Sequence, residues 1–188
     1  MKQSKQKHHN IHAMVIPALM AALLCVLGPI TVPAGPIPLS LATLGICLAG
    51  LLLGWKRGTV SVLVYLAIGL VGLPVFSGFS GGVGKLLGPT GGYLLGYVPL
   101  VFITGLTEKQ KKPIQLLAMT AGTVVLYLFG TVFYSLQTGT DFMAAVTVCV
   151  LPFLPGDCVK MGLALFLAPI LSRTLERAGL KEKWEREL

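Results

Sequence analysis

Charge is scarce in this chain. Of its 188 residues only 12% are charged, whereas 54% are hydrophobic, and the mean hydropathy is +0.81. A soluble domain carries about 25% charged residues, so the composition predicts an integral membrane protein with the size of one bundle. The net charge of +8 is carried in short clusters between apolar runs. A protein that binds nucleic acid would present its cations on an exposed face, so no nucleic acid partner is expected.

The side chains of common catalytic sites are scarce as well. The three histidines lie in the N-terminal tail, at positions 8, 9 and 12, and Asp157 is the only carboxylate within the apolar segments. Gly84-Lys85 is followed by Leu86 rather than by the Ser or Thr of a phosphate-binding loop. The sequence therefore predicts a chain that is not an enzyme and has no ATPase motif of its own. Active uptake by such a chain would need partner subunits or an ion gradient.

The cysteines show no pattern of a disulfide-bonded or metal-binding fold. The four cysteines lie in separate apolar runs, and no two of them have the CxxC spacing typical of metal or redox sites. Each is interpreted as a small buried hydrophobe. We therefore expect no disulfide, no bound metal and no cofactor.

Long apolar runs make up most of the remaining sequence. They predict an all-α integral membrane protein in which residues 1–188 form a single membrane domain with six transmembrane helices. In the first helix, Ala18 and Ala22 have the spacing that lets helix backbones approach closely, either within the bundle or at a contact with another subunit. The approximate helices are residues 13–28, 39–54, 59–73, 91–106, 114–136 and 142–175, with a proline-induced break at 152–156.

The distribution of Lys and Arg orients this bundle. With both termini in the cytoplasm, the four cytoplasmic segments hold three, two, three and five of these cations, which is thirteen of the fifteen. Such a bias predicts cytoplasmic N- and C-termini and a multi-pass protein of the plasma membrane. The proline-rich residues 29–38 and the glycine-rich residues 74–90 are then external connections. Four charges are not explained by the topology: Lys85, Asp141, which suits a turn or a helix N-cap, Asp157 and Lys160.

Asp157 and Lys160 form the most informative pair. They lie three residues apart within residues 144–171, which carry no other charge, and their spacing places both on one helix face. Ionisable residues at membrane depth are costly and mark functional sites by default. Two interpretations are open. The pair is either an internal ion pair whose attraction offsets the free-energy cost of burying its charges, or the polar floor of a site for a small amphipathic acid. In the second, Lys160 meets a ligand carboxylate and Asp157 accepts N–H donors.

Aromatic residues and glycines are candidates for the rest of the site. Phe76, Phe79, Tyr93 and Phe153 are expected to form its apolar walls. Tyr93 is either a ligand contact or an aromatic residue of the membrane interface. The glycines of residues 74–90 allow backbone groups to approach a ligand closely, although a flexible external loop is the alternative.

Four stretches of the chain carry a specific pattern: GLPVF at residues 72–76, the glycine loop at 77–84, LGPTGGY at 87–93 and LPGDCVK at 154–160. In these stretches, and in the order and spacing of its apolar segments, the chain resembles the biotin-specific substrate-binding (S) components of energy-coupling factor (ECF) transporters, the BioY family. The family pattern has an Asn in the glycine loop where Ser80 stands here. A hydroxyl also donates and accepts, but it reaches less far than an amide.

The resemblance implies a six-helix bundle of the ECF S-component type. Such a protein captures biotin from outside with high affinity and delivers it to the cytoplasm with a transmembrane coupling protein and two cytoplasmic ATPase subunits. The resemblance assigns the ligand site to Asp157 and Lys160, its lid to Tyr93 and the glycine loop, and docking of the coupling protein to Ala18 and Ala22. Together with the expected walls, the substrate-binding residues are Asp157, Lys160, Tyr93, Ser80, Phe79, Gly81, Gly82, Gly91, Gly92 and Phe153.

Three alternative functions stay open. An S component for another vitamin would take a different ligand, and a vitamin without a carboxylate would leave Lys160 without its partner. A solitary biotin uptake transporter would work without ATPase subunits. A non-transport membrane scaffold would bind no ligand, and its Asp157–Lys160 pair could be replaced by apolar residues without loss.

Overall fold

The structure, a computed structural model, describes residues 2–32 and 37–177, with side chains from Met14 onward. Three sets of sequence features therefore lie outside the described part. They are the side chains of the histidine-containing N-terminal tail, residues 33–36 of the proline-rich connection, and the cations beyond Arg177.

The described part of the chain forms seven helices and one two-stranded antiparallel sheet. By length and composition, three of these helices could cross a membrane, namely α2, α5 and α7, while residues Met14–Leu27 of α1 and the whole of α4 are shorter apolar helices. This helical, apolar architecture agrees with the predicted class. In chain order the elements are α1 (Lys2–Leu27), β1 (Thr31–Val32), β2 (Leu39–Ser40), α2 (Ala42–Leu70), α3 (Val83–Leu87), α4 (Gly91–Gly105), α5 (Lys112–Thr138), α6 (Phe142–Cys149) and α7 (Leu154–Arg177).

Helix α2 folds back on itself at Gly54. This residue has φ 71° and ψ −179°, outside the helical region, and it separates residues 42–53 from residues 55–70. A Cβ added to Gly58 would lie 3.0 Å from the backbone oxygen of Ala49, although nine residues of continuous helix would hold the two about 13 Å apart. The two halves are therefore antiparallel neighbours, and they correspond to the predicted helices 39–54 and 59–73.

The turn between the two halves of α2 is shorter than predicted. The sequence indicated a turn at residues 55–58, whereas these residues are already helical. The positive φ of Gly54, which a residue with a Cβ adopts only at a cost, is enough to reverse the chain.

The break in the last membrane segment lies earlier than the predicted residues 152–156. Helix α6 ends at Cys149 and α7 begins at Leu154, so the break comprises residues 150–153. Pro155 starts the second helix rather than interrupting it, because the N–H groups of a first helical turn have no intrahelical partner to lose. As a result Asp157 lies in the first turn of α7, where a carboxylate is favoured by the helix dipole.

The proline-rich connection begins and ends in a pair of short antiparallel strands that were not predicted. Thr31 pairs with Ser40 and Val32 with Leu39, so the second helix begins at Ala42 rather than at the predicted residue 39. Ser40 fixes this start, because its Oγ accepts a hydrogen bond from the Ala42 N–H (3.0 Å) and donates to the Gly28 carbonyl (2.7 Å).

The glycine-rich connection is more ordered than the predicted loop. Phe76 and Ser80 form an isolated antiparallel bridge, and Val83–Leu87 form the short helix α3. Phe76 is fully buried and packs edge-to-face on Tyr65, with ring centroids 5.6 Å apart. A Cβ at Gly69 would overlap the Phe76 ring. This phenylalanine therefore anchors the connection to the second half of α2.

Helix α4 lies between α2 and α5, and its bounds and those of α5 are within two residues of the prediction. Glycines make the close contacts on both sides. A Cβ added to Gly50 would lie 2.9 Å from Thr104, and Cβ atoms added to Gly96 and Gly122 would each lie 2.8 Å from a leucine of the facing helix. Small residues of this kind are what bring membrane helices into contact.

Helix α1 covers α2 with one face and leaves the other uncovered. Ile16, Met20 and Leu24 are buried against the bundle, whereas Ala18 and Ala22 are exposed. Of the two interpretations of this alanine pair, packing within the bundle is therefore wrong for the described chain. The exposed face of α1 also carries Met14, Leu19, Leu23 and Val26.

Candidate functional site

A cavity opens between the residues around β2, α3, the first turns of α2, α4 and α7, and the middle of α5. Its empty space is about 490 Å³, part of it open to the outside. Apolar and aromatic side chains make up most of the lining, with a small number of polar groups among them, as is usual in sites for small molecules. The lining residues are Ile37, Pro38, Ser40, Thr43, Ser77, Lys85, Thr90, Tyr93, Leu94, Tyr97, Leu126, Tyr127, Phe153, Asp157 and Lys160.

Lys160 lies at the floor of this cavity with its hydrogen bonds complete. Its Nζ donates to the Ser40 carbonyl (2.6 Å), to Thr43 Oγ1 (3.0 Å) and to Asp157 Oδ1 (3.0 Å). An ammonium group has three N–H donors, so each one has an acceptor. The side chain is only 7% exposed. The floor therefore has its cation neutralised and held in place before any ligand arrives.

Asp157 is bonded on both of its carboxylate oxygens. Oδ1 accepts from Lys160 and, at 3.3 Å, from Thr43 Oγ1, and Oδ2 accepts from Tyr127 Oη at 2.5 Å. A carboxylate offers about four acceptor positions, which leaves one on Oδ2 for a further donor. The ion pair is buried with 6–7% side-chain exposure, and these extra hydrogen bonds are what such burial requires.

The floor joins three distant parts of the chain. Ser40 comes from the end of β2 and Thr43 from the first turn of α2. Tyr127 comes from the middle of α5, and the ion pair from the first two turns of α7. The spacing of Asp157 and Lys160 by three residues places both on one face of α7, and that face packs against α2. Asp157 and Lys160 thus form an internal ion pair that also lines the floor of the cavity.

Aromatic rings form one wall above the floor. Tyr93 and Phe153 are stacked, with ring centroids 5.9 Å apart and an interplanar angle of 26°. Tyr93 Oη donates to the carbonyl of Cys149 at 2.6 Å. Cys149 is the last residue of α6, and its carbonyl is one of those that a helix end leaves without an intrahelical partner. Tyr93 is therefore buried at the cavity, and not on the lipid-facing surface where an aromatic residue of the membrane interface would lie.

Four predicted residues come together at the cavity, and others lie elsewhere in the described structure. Tyr93, Phe153, Asp157 and Lys160 line it. Phe76 lies in the core and Phe79 is 73% exposed, so neither forms the expected wall. Phe79 also has a positive φ of 55°, which residues with a Cβ adopt rarely.

The predicted glycine contacts have structural roles here. Cβ atoms at Gly91 and Gly92 would overlap backbone atoms of Leu86 and Phe129, so these two glycines allow α4 to approach its neighbours. Gly81 and Gly82 lie beside the cavity rather than in its lining, and Gly82 has φ 88°. Ser80 Oγ donates to the Ser77 carbonyl at 2.8 Å, which closes the turn between them. Ser77, not Ser80, reaches the cavity.

Sequence reasoning missed the neutral polar residues of the site. Thr43 and Tyr127 hold the ion pair, yet each lies 30 or more residues from Asp157, and nothing in the local pattern of an apolar helix marks such a contact. Tyr97 could have been found, because it lies four residues after Tyr93 and so shares its helix face.

Tyr127 and Asp157 also border a second, apolar groove between α5 and α7. This groove has an empty space of about 960 Å³ and is lined mainly by residues such as Leu116, Val124 and Leu165. The hydrogen bond between Tyr127 and Asp157 is therefore part of the partition that separates the groove from the cavity.

The described residues contain no group of His, Cys, Asp and Glu side chains that could hold a metal ion. What the cavity offers is one acceptor position on a fixed carboxylate, a fixed and paired ammonium, aromatic walls and a polar mouth. These features suit non-covalent binding of a small molecule.

The comparisons with known proteins give the family. The model of the BioY family matches residues 1–177. A probable biotin transporter BioY of Pyrococcus horikoshii is 41% identical over 151 residues, which cover 80% of this chain and 90% of that protein. The biotin transporter BioY of Rhizobium etli is 37% identical over 82% of this chain, and that of Lactococcus lactis is 32% identical over 96%.

A solved structure is similar over nearly the whole fold. It is the crystal structure of the S-component for biotin from an ECF-type ABC transporter, with a TM-score of 0.80 and 30% identity. The similarity covers 88% of this chain and 93% of that one. The chain therefore belongs to the BioY family of membrane proteins.

Proposed function

We propose that this chain is the high-affinity biotin-binding subunit of an ATP-driven vitamin importer of the ECF type. The observation that carries this proposal is the preformed floor, in which Asp157 keeps one acceptor position open within a network fixed by Lys160, Thr43 and Tyr127. A site whose polar groups are held before binding loses little freedom on binding, which favours high affinity.

Biotin has the chemistry that this cavity would recognise. Its ureido ring carries two N–H donors, and one of them suits the open position on Asp157 Oδ2. Its fused rings are apolar and suit the wall formed by Tyr93, Tyr97 and Phe153. A charge-assisted hydrogen bond is stronger than one between neutral groups.

The orientation of the ligand in this proposal differs from the sequence-based hypothesis. That hypothesis paired Lys160 with the carboxylate of the ligand. In the structure all three donors of Lys160 are already engaged, so a carboxylate would have to displace one acceptor and approach the Asp157 carboxylate as well. The geometry supports the ureido ring at the floor and the acid group toward the mouth.

The membrane arrangement we propose has six crossings with both termini in the cytoplasm, as a single multi-pass domain of the plasma membrane. Its support is the reversal of the chain within α2. The 29 residues of α2 count as one helix by length, but the break at Gly54 divides them into two antiparallel segments. The cations Lys56 and Arg57 lie just after that turn, and Lys109 lies beyond the end of α4 next to the same turn. These cations then face the cytoplasm.

The partners we propose are a transmembrane coupling protein and two cytoplasmic ATPase subunits. The exposed face of α1, with Ala18 and Ala22 at its centre, is the proposed docking surface for the coupling protein. Small side chains there would allow a partner helix to approach the backbone closely. The chain itself would be a binding subunit, with biotin as its cargo and no cofactor.

The experiment is equilibrium binding of biotin to the purified chain without partner proteins, for wild type and Asp157→Asn. Nanomolar binding, which corresponds to about −12 kcal/mol, is expected for wild type. The substitution should weaken it by about 2–5 kcal/mol, since it removes a buried charged contact. Asp141→Asn is the matched control, because Asp141 caps α6 at the surface, where it accepts from the Met143 N–H.

Each alternative function predicts a distinct result. No binding of biotin with tight binding of another vitamin indicates a different S component, and no binding of any vitamin supports the scaffold. Uptake by vesicles that contain this chain alone would contradict the need for ATPase partners. Uptake that requires the coupling protein, both ATPases and ATP would support the full proposal.

A further inference from the structure

Lys85 is the second cation at the cavity, and it lies at the mouth. It belongs to the short helix α3 (Val83–Leu87) and lines the cavity together with Ser77 and Thr90. Its side chain is half-buried. Within the described residues its ammonium group makes no hydrogen bond and no ion pair, in contrast to Lys160.

The charges that line the cavity do not cancel. Three of the lining residues are charged, namely Lys85, Asp157 and Lys160, so the net charge is +1. Asp157 and Lys160 neutralise each other at 3.0 Å, which leaves the charge of Lys85. Asp141 is the other described carboxylate on the proposed external side, and it is occupied as the N-cap of α6. A ligand with a single negative charge would complete this balance.

We propose that Lys85 is the specificity-determining residue for the carboxylate of the ligand, which it binds at the mouth of the cavity while the ligand's ring lies at the Asp157–Lys160 floor. This inference rests on the proposed function, since it concerns the same site and a ligand with one acid group. The hydroxyls of Ser77 and Thr90 lie beside Lys85 in the lining and provide further donors for a carboxylate.

The position of Lys85 also gives it a role in capture. A cation at the entrance of a cavity with apolar walls raises the local concentration of anions and speeds their association, and this effect weakens as salt is added. The paired lysine at the floor cannot do this, because its field is cancelled by Asp157. Lys85 therefore separates anionic from neutral analogues of the same ring.

The test measures binding of biotin and of biotinamide, its neutral amide, to the purified full chain. The variants are Lys85→Met and Lys85→Arg, with Lys56→Met as a matched control on the opposite side of the bundle, where Lys56 lies over the Trp55 ring. Biotinamide keeps the ring and loses the charge. Its affinity therefore also reports whether each variant is folded and has an intact floor.

We expect the dissociation constant of wild type to be about tenfold or more lower for biotin than for biotinamide. A tenfold difference is at the lower end of what a hydrogen bond to a charged group contributes. Lys85→Met should remove this preference by weakening biotin alone, and Lys85→Arg should keep it. The association rate of biotin should fall with salt in wild type and much less in Lys85→Met. Lys56→Met should change none of these quantities.

Two results would overturn the role of Lys85. Equal weakening of both ligands by Lys85→Met would show that the residue supports the loop rather than the carboxylate. An unchanged preference in Lys85→Met would place the carboxylate elsewhere. Failure of wild type to bind either ligand would instead overturn the proposed function, and this inference with it.

Discussion

Lys160 at the floor of the cavity and Lys85 at its mouth are both lysines, but their environments differ. Lys160 is buried in the first turns of α7 and donates to three acceptors within 3.0 Å. Lys85 lies on a short helix in the glycine-rich connection and has no such partner in the described structure. Counting the lysines of the cavity therefore overstates its positive charge, because Lys160 is already neutralised by Asp157.

The same contrast extends to the residues around each lysine. The floor draws on α2, α5 and α7 and leaves little freedom, so its geometry is set by the packing of helices. The mouth is formed by the connections at residues 37–38 and 77–90, which carry several of the described positive-φ residues. Substitutions at the floor should therefore affect stability and binding together, whereas substitutions at the mouth should affect binding alone.

The largest effect is expected from breaking the ion pair on one side. Lys160→Met leaves Asp157 buried without its cation, which should lower the free energy of unfolding by about 3–5 kcal/mol and abolish measurable biotin binding. The double variant Asp157→Asn with Lys160→Met should recover most of the stability, since no charge is left unpaired, but not the binding. Thermal unfolding in detergent and biotin titration measure the two quantities.

The double variant distinguishes a structural pair from a functional one. If it binds biotin as tightly as wild type, the pair serves stability only and the floor does not recognise the ligand. If it stays as unstable as Lys160→Met, charge burial is not the source of the destabilisation.

A smaller effect is expected from Tyr127→Phe. The change removes the hydrogen bond to Asp157 Oδ2. It should lower the free energy of unfolding by about 1.5–3 kcal/mol, which is the range for a hydrogen bond to a charged group. It should weaken biotin binding as well, because Asp157 is then held less firmly and the partition from the α5–α7 groove is weakened. Tyr134→Phe on the same helix is the control, and equal losses in both variants would contradict a specific role for Tyr127.

The smallest effect is expected from Phe79→Ala at the mouth. Phe79 is 73% exposed and does not line the cavity, so the free energy of unfolding should change by less than about 0.5 kcal/mol and the dissociation constant by less than about twofold. A loss of tenfold or more in biotin affinity would show that the loop closes over the ligand and brings this ring into the site.

The parts of the structure that sequence could predict are those with a local signal. Apolar runs located most helix ends within a few residues, and the unexplained charges Asp157 and Lys160 lie at the floor. The exception is α1, which begins at Lys2 rather than at the predicted residue 13, because the polar residues before the apolar run are helical as well. The stretch around Tyr93 was recognisable from its glycines and from the family resemblance. In each case the information lies in residues that are neighbours along the chain.

The parts that sequence could not predict depend on contacts between distant segments. Thr43 lies 114 residues from Asp157, and Tyr127 lies 30 residues from it. Phe76 and Phe79 are two similar residues three positions apart, yet one is fully buried and the other is exposed. Phe76 forms a backbone bridge with Ser80 and packs on Tyr65, whereas Phe79 has a positive φ. Neither feature has a distinct pattern in the composition of the loop.

The position of Asp157 at the very start of α7 has a consequence for delivery. About twenty residues of that helix follow it, and they rise about 30 Å, which equals the thickness of the hydrocarbon core of a bilayer. In the orientation proposed above, a ligand bound at Asp157 would lie at the external end of α7, with nearly the full thickness of the membrane between it and the cytoplasm. Its release into the cytoplasm would then require a change in the orientation of the whole chain in the membrane rather than the widening of a pore.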